Sequence, residues 1–365
     1  MALSTIQNNS FADTAVHGFR NLLINSAMQV AQRSSSVTGV GTTVGYFTVD
    51  RWRFADAGSP VAVFTMAQDS DAPDGFSNSL KMTVTTADTS VGANVSQYID
   101  QFIEAQNLQH LAWDTASSGK SLTLSFWVKC STAQTFTIDF VNEDSARYFN
   151  TTYTVNSANT WEYKTISIPA DASNGFNNDN GRGLRVRWSL VQGSDYAGSI
   201  ATAWGNTEVR GGGHENTWVA TTSETWQLAG PQLEVSSEPT PFEHRPYGDE
   251  LQRCYRFFQR FGGDGNFDVS STSGFGINSN TLAALTNLRT DMRAQPTLSI
   301  NSIESSDVIN SAVPITSASL STAITSTQIA YVQYTSSGTG IVAYRPYYIR
   351  SDNNSTGYVD FDAEL

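Results

Sequence analysis

Apolar and polar residues alternate with period two along most of this chain, and the alternation starts near Tyr46. "YFTVDRWRFA", "AVFTMAQ" and "NSLKMTVTTA" read as half-buried strands, the last closed by the turn "DTSVGAN". "KSLTLSFWVKCS" is the clearest case, with Leu122, Leu124, Phe126 and Val128 on one face. "QTFTIDFVNE", "YFNTTYTVN", "TWEYKTISIP", "LRVRWSLVQ" and "TWQLAGPQLEV" follow, separated by Gly/Asn/Ser turns. This spacing predicts a two-sheet β-sandwich. "NLLINSAMQVAQR" (Asn21–Arg33) predicts a first strand with a bend, and Val95–Trp113 mixes strand and helix patterns. Residues 1–20 lack apolar periodicity and predict a tail that orders against a partner.

The pattern changes after Val235. Pro239 and Pro241 fix φ and exclude helix from the connector. "GDELQRCYRFF" then predicts a helix, with Asp249 and Glu250 in its first turn and an apolar stripe of Leu251, Tyr255 and Phe258, with Cys254 and Phe261. Residues 262–365 turn Ser/Thr-rich, with further strand candidates. All eight tryptophans lie between Trp52 and Trp226, so the composition also changes at the connector. The expected organisation is a tail (1–20), a sandwich (21–246), and a helix with a smaller β domain (247–365). The expected fold class is all-β.

One long connection interrupts the sandwich pattern: Ser194–Glu224 holds Tyr196, Trp204, His214 and Trp218. Long loops in compact domains are usually functional or disordered, and two tryptophans argue against disorder. Trp127 and Trp188, inside apolar strands, are expected in the core, as are Trp52 and Trp226. Exposed indoles at Trp204 and Trp218 would stack on the C–H faces of a sugar ring, with Tyr196 and His214 beside them. The bland alternative is a loop pinned to the sandwich by its own aromatics.

Composition narrows the function classes. Of 365 residues 15% are charged, the net charge is −13, and only four lysines occur (Lys81, Lys120, Lys129, Lys164). No basic footprint for nucleic acid or anionic membrane is present. Cys130 and Cys254 make no disulfide framework and read as buried thiols. The N-terminus has no basic start or apolar core, so no secretory signal is expected, and no apolar run reaches membrane-spanning length. Extracellular-type composition without a signal fits release by lysis, inside a particle.

Catalytic patterns are missing. His17, His110, His214 and His244 lack metal spacing, and no nucleophile elbow, phosphate loop or zinc-protease motif occurs. "DSDAPDG" (Asp69–Gly75) clusters three carboxylates but lacks the bidentate glutamate that ends a calcium loop. No metal or cofactor is expected. "EHRPYG" places Glu243, His244 and Arg245 beside Pro246, where Arg245 is expected to anchor the connector to a carboxylate.

The combination "RNLLINSAMQVAQR … YFTVDRWRF … SLTLSFWVK … TWQLAGPQLEVSSEPTPFEHRPYGDELQRCYRFFQ" resembles a module of bacteriophage fibre and tail-associated proteins. "TPFEHRPYGDEL" is its specific part, and "LSTIQNNSFAD" looks like fibre proteins of phages of aquatic bacteria. The resemblance implies a jelly-roll sandwich like that of carbohydrate-binding modules, then a helix and a small β unit. It implies an interdomain hinge at Pro239, Pro241, Phe242, Glu243, His244, Arg245 and Tyr247. It also implies a virion localisation, docking to other virion proteins through residues 1–20, and a homo-oligomer, as a trimer. Gln29, and Ala229–Gly230–Pro231 before "QLE", stand where such modules carry acidic residues for a structural calcium. The expected function is a short tail fibre or receptor-binding appendage that contacts host glycans without catalysis. The alternatives are a capsid decoration or head-fibre protein without a specific ligand, and a polysaccharide depolymerase with a carboxylate pair.

Overall fold

The computed structural model describes residues 19–115, 119–307, 312–321 and 326–365, without the side chains of 271–273. Most of the expected docking tail, residues 1–18, therefore lies outside the described residues. The chain divides into two compact units, Met1–Tyr247 and Gly248–Leu365.

The first unit is a jelly-roll β-sandwich. Its strands are β1 (Ser36–Val40), β2 (Gly45–Tyr46), β3 (Arg53–Ala57), β4 (Val63–Asp69), β5 (Ser79–Thr86) and β6 (Ser96–Glu104), then β7 (Leu122–Cys130), β8 (Gln134–Asn142), β9 (Arg147–Val155), β10 (Glu162–Ile168), β11 (Arg182–Gln192) and β12 (Thr225–Glu234). One sheet runs β1-β4-β5-β12-β7-β10 and the other β2-β3-β6-β11-β8-β9, and every pairing is antiparallel. Inner-face residues fill the space between the sheets: Leu122, Leu124, Phe126 and Val128 from β7 meet Ile138, Phe140, Val186 and Trp188 from β8 and β11. Each such side chain contributes ~1.5–3 kcal/mol by leaving water. Trp52, Trp188 and Trp226 are core residues, as expected, Trp52 from just before β3.

Three local expectations change. Asn21–Arg33 is not a strand. The Asn25 side chain accepts from the Gln29 and Val30 amides and donates to the Val30 and Asp50 carbonyls, replacing a ladder with local bonds. Leu23 and Met28 still reach the core. "YFTVDRWRFA" is broken between β2 and β3. Val95–Trp113 resolves into β6 followed by a 3-10 turn, Ala105–Leu111.

The division between the units falls within the first turn of α1 (Tyr247–Tyr255), and the rest of α1 opens the second unit. The helix is shorter than predicted, ending at Tyr255; of the stripe Cys254 is buried and Leu251 and Tyr255 are half-buried, and Glu250 is buried as well. Phe258 begins β13 (Phe258–Gly262) instead, pairing with Asp362. A small sheet joins β13 and β16 (Thr297–Asn301) to β21 (Tyr358–Asp362). The other strands are β14 (Val269–Gly276), β15 (Thr281–Asn287), β17 (Ile303–Ser306), β18 (Ala312–Leu320), β19 (Ile329–Ser336) and β20 (Pro346–Ser351). They close a barrel in the order β14-β15-β19-β18-β17-β20 around Leu282, Val332, Tyr334 and Ile349. Cys130 and Cys254 are both buried, as thiols rather than a disulfide. Among the described residues no helix is long and apolar enough to cross a membrane.

Candidate functional site

Part of the long loop, around Glu208 and Arg210, lies against the outward side of β11. Strand parity sends Trp188 inward and Arg187 outward. Arg187 is buried and grips buried Asp139 at 2.5–3.0 Å through Nε and Nη2. Its Nη1 donates to Glu208 at 3.0 Å, and Glu208 also accepts from Arg210 at 3.1 Å. The Arg210 guanidinium stacks 4.0 Å over the Tyr196 ring and 4.9 Å over Tyr98. The Thr137 amide donates to His214 Nδ1 at 3.1 Å. Burial works to raise the Glu208 carboxyl, but Arg187 and Arg210 overcome it and hold it below its ordinary value. Burial pushes the His214 imidazole down to about 4. Asp139 and Glu208 are each held by arginine, so this cluster clamps the loop to the sheet.

Tyr196 and His214 thus join this clamp, while Trp204 and Trp218 do not. Trp204 is 7% exposed, packs against Trp113 and Phe149, and donates Nε1–H to the Pro169 carbonyl. Trp218 is 0% exposed, stacks on Phe64 at 5.5 Å, and donates to the Leu190 carbonyl. The expectation of sugar-stacking indoles is corrected here. Both rings spend their faces and their N–H groups inside the sandwich, pinning the loop.

The connector is also anchored within the first unit. Glu243 accepts from the Phe19 and Asn21 amides at 2.7 and 2.8 Å. Arg245 bonds Glu243 and the Leu23 carbonyl at 3.1 Å each, and the Asn21 carbonyl. The carboxylate that Arg245 meets is Glu243, two residues away, and the two together bind residues 19–23. Arg20 returns the contact to Thr240 and to the Pro241 carbonyl. Phe242 and His244 pack with Phe76 in a ring trio with centroids 4.8–5.3 Å apart. Gly230 (φ +57°) sits under Phe76, where a Cβ would come within 2.3 Å of the ring. Residues 239–245 therefore staple the chain's entry to its exit, and the division between the units falls just after Tyr247.

The open aromatic surface is elsewhere, on the outer face of the β12-β7-β10 region. Trp127 is expected in the core, yet the structure turns it outward, half-buried, because its neighbours Phe126 and Val128 point in. Tyr163, on the edge strand β10, lies directly across from it, with ring centroids 5.2 Å apart at 54°. Tyr163 is 45% exposed. One step along, Lys129 projects from the same face of β7, 5.5 Å over the ring of half-buried Trp161. Trp161 donates Nε1–H to Asp71 Oδ1 at 3.2 Å, and Lys129 pairs with the other Asp71 oxygen. The hydrogen bond from Lys129 holds the Asp71 carboxyl below its ordinary range. Gln227 donates to the Asp71 carbonyl at 3.3 Å. The acidic turn at Asp69–Gly75 is thus tied to the sheet by Lys81 and Lys129. Among the described residues no group of three His, Cys, Asp or Glu side chains is placed to hold a metal.

The outward cross-strand pair Trp127–Tyr163 and, just before β10, the Lys129–Trp161 contact therefore form a ledge of three aromatic rings ending in an ion pair. Its chemistry is that of a stacking platform with polar groups beside it. Trp161 and Tyr163 carried no role in the sequence reading. Their signal was the same parity that faces Trp127 outward.

No protein-family model matches the chain, and no curated protein matches it. Among solved structures, the enzymatically active domain of bacteriophage CBA120 tailspike protein 4 aligns at 12% identity and TM-score 0.31, over 60% of this chain and 22% of that one. The carbohydrate-binding module TmCBM61, in complex with β-1,4-galactotriose, aligns at 10% identity and TM-score 0.29, over 60% of this chain and 99% of its own. The family 11 carbohydrate-binding module of Clostridium thermocellum, in complex with a mixed-linked tetrasaccharide, aligns at 10% identity and TM-score 0.29, over 56% and 99%. This chain spans less than a quarter of the tailspike domain's length, and all three likenesses are distant.

Proposed function

We propose that this chain is a structural protein of a phage virion, a short tail fibre or similar receptor-binding appendage, and that its ledge contacts host surface glycans. The observation that carries the glycan reading is the outward Trp127–Tyr163 pair beside Trp161. Flat π faces stack on the apolar C–H faces of sugars, and Lys129 and Asp71 offer fixed groups for hydroxyls. Asp71 is held ionised by Lys129, which suits hydrogen-bond acceptance rather than proton donation. The action is binding, and several copies would add avidity to weak single contacts. The virion reading rests on the "TPFEHRPYGDEL" resemblance.

The test is glycan-array binding followed by titration calorimetry on the best ligand. Trp127→Ala and Tyr163→Ala are expected to weaken binding at least about fivefold, with unchanged melting. Stacking contacts of ~1–3 kcal/mol set that scale. Wild-type affinity in both variants would sink the ledge as the site. Cryo-electron microscopy of particles tests location: density at the tail supports an appendage. A second reading, capsid decoration without a specific ligand, is favoured by one observation, the burial of both loop tryptophans. Density over the capsid lattice would establish it.

A further inference from the structure

Two long stretches of the second unit contain no charged or histidine residue: 269–288 and 308–344. They supply β14, β15, β19 and β18, which are consecutive around the barrel. The other two barrel strands, β17 and β20, carry Glu304 and Arg350, which pair at 2.7 Å. One contiguous wall of the barrel is therefore uncharged, in a chain whose net charge is −13.

That wall also exposes large apolar side chains. Phe275 is 50% and Leu285 49% exposed, and Ile329 is exposed as well. Strand register sets Phe275 between Ala283 and Pro346, and Leu285 beside Tyr331. A pocket of about 340 Å³ opens among these residues, with Gly274 and Ala283 among the small residues that line it. Next to Pro346 the chain turns at Tyr344, a non-glycine residue at φ +63° and 91% exposed. The turn is held by the Tyr344 amide on the Gly276 carbonyl at 2.8 Å and the Arg345 amide on the Val342 carbonyl at 3.2 Å. An aromatic side chain is thus presented on a fixed backbone beside an apolar pocket.

Charge depletion with aromatic enrichment marks the cores of protein interfaces, and exposed apolar patches mark interaction sites. The charge pattern selects the occupant. Two copies at −13 each repel wherever their acidic surfaces meet. A wall without charge needs no opposite-sign partner and complements itself. The pocket lies where that wall meets the start of β20, with Tyr344 beside it, so one copy can supply the tyrosine and the next the pocket.

We infer that the β14-β15-β19-β18 wall is where copies of this chain meet, with Tyr344 of one copy seated in the Phe275–Leu285–Tyr331–Pro346 pocket of the next. This rests on the second unit alone and is independent of the glycan-binding ledge.

The test is sedimentation velocity on the full chain across concentrations up to about 100 µM. Wild type is expected to reach a multiple of the 39.6 kDa chain mass. Tyr344→Ser and Leu285→Asp are expected to raise the dissociation constant at least about thirtyfold, the scale of an interface hot spot. Their circular dichroism and melting should match wild type. Val61→Asp, at an exposed apolar position of the first unit, should leave the mass unchanged. A wild type that stays at 39.6 kDa throughout overturns the inference, as does an oligomer that survives both substitutions. A monomeric wild type that loses glycan binding on Tyr344→Ser would assign the wall to a sugar and also overturn it. Loss of glycan binding by Tyr163→Ala, with the mass unchanged, bears only on the ledge.

Discussion

Replacing Glu243 by alanine removes the acceptor that joins the start of the first unit to its end. Its carboxylate takes two backbone amides, Asn21 at 2.8 Å in a part-buried site and Phe19 at 2.7 Å in an exposed one. A hydrogen bond to a charged group contributes ~1.5–3 kcal/mol, and an exposed one far less. Arg245 loses its carboxylate partner but keeps the Asn21 and Leu23 carbonyls. The expected destabilisation is therefore ~2–4 kcal/mol. Urea unfolding followed by tryptophan fluorescence measures it, because all eight tryptophans lie in the first unit and the signal reports that unit alone. The pH dependence has a definite sign. Burial works to raise the Glu243 carboxyl, and the Asn21 amide and Arg245 outweigh it, leaving it below its ordinary value. Its contribution is then complete above the usual glutamate range, ~4.3, and fades as pH falls through the lower folded value. The gap between wild type and variant should accordingly narrow in acid. A loss under ~0.5 kcal/mol at pH 7, or a gap that ignores pH, would refute the staple.

Other outcomes follow from the same geometry. Trp204→Ala should cost ~3–5 kcal/mol by opening a core cavity, yet leave glycan affinity per folded molecule unchanged; Tyr163→Ala should do the reverse, and paired melts and titrations compare them. His214 sits near 4 in the fold against an ordinary 6.5, so its contribution is present above ~6.5 and lost as pH falls toward 4. With its partial exposure allowed for, that is roughly 2–3 kcal/mol, and hydrogen-exchange protection in residues 194–224, relative to the intrinsic rate at each pH, should fall from pH 7 to 4.5 in wild type but not in His214→Asn. Arg187→Met alone strands the Asp139 charge and should cost ~3–5 kcal/mol, while Arg187→Met with Asp139→Leu should recover most of it in chemical denaturation.

Period-two alternation, which needs only neighbouring residues, determined the strands and their faces. It set Leu122, Leu124, Phe126 and Val128 inward, and by the same parity it sets Trp127 outward. Reading Trp127 as core trusted the apolar run over the alternation. Turn residues and the change in tryptophan content marked the connector. Tertiary structure decided what periodicity cannot encode. Trp204 and Trp218 lie in an irregular loop with no period to reveal a face, and only the pocket left by Trp113, Phe149 and Phe64 buries them. The predicted helix stops at Tyr255 because Phe258 pairs with Asp362, 104 residues later, and a strand ladder outweighs local helix preference there. Glu243 binds amides more than 200 residues away, so its role existed in no local window. Local sterics and solvent exposure act along the chain and are legible there. Partners brought together across it exist only once the sheets have closed.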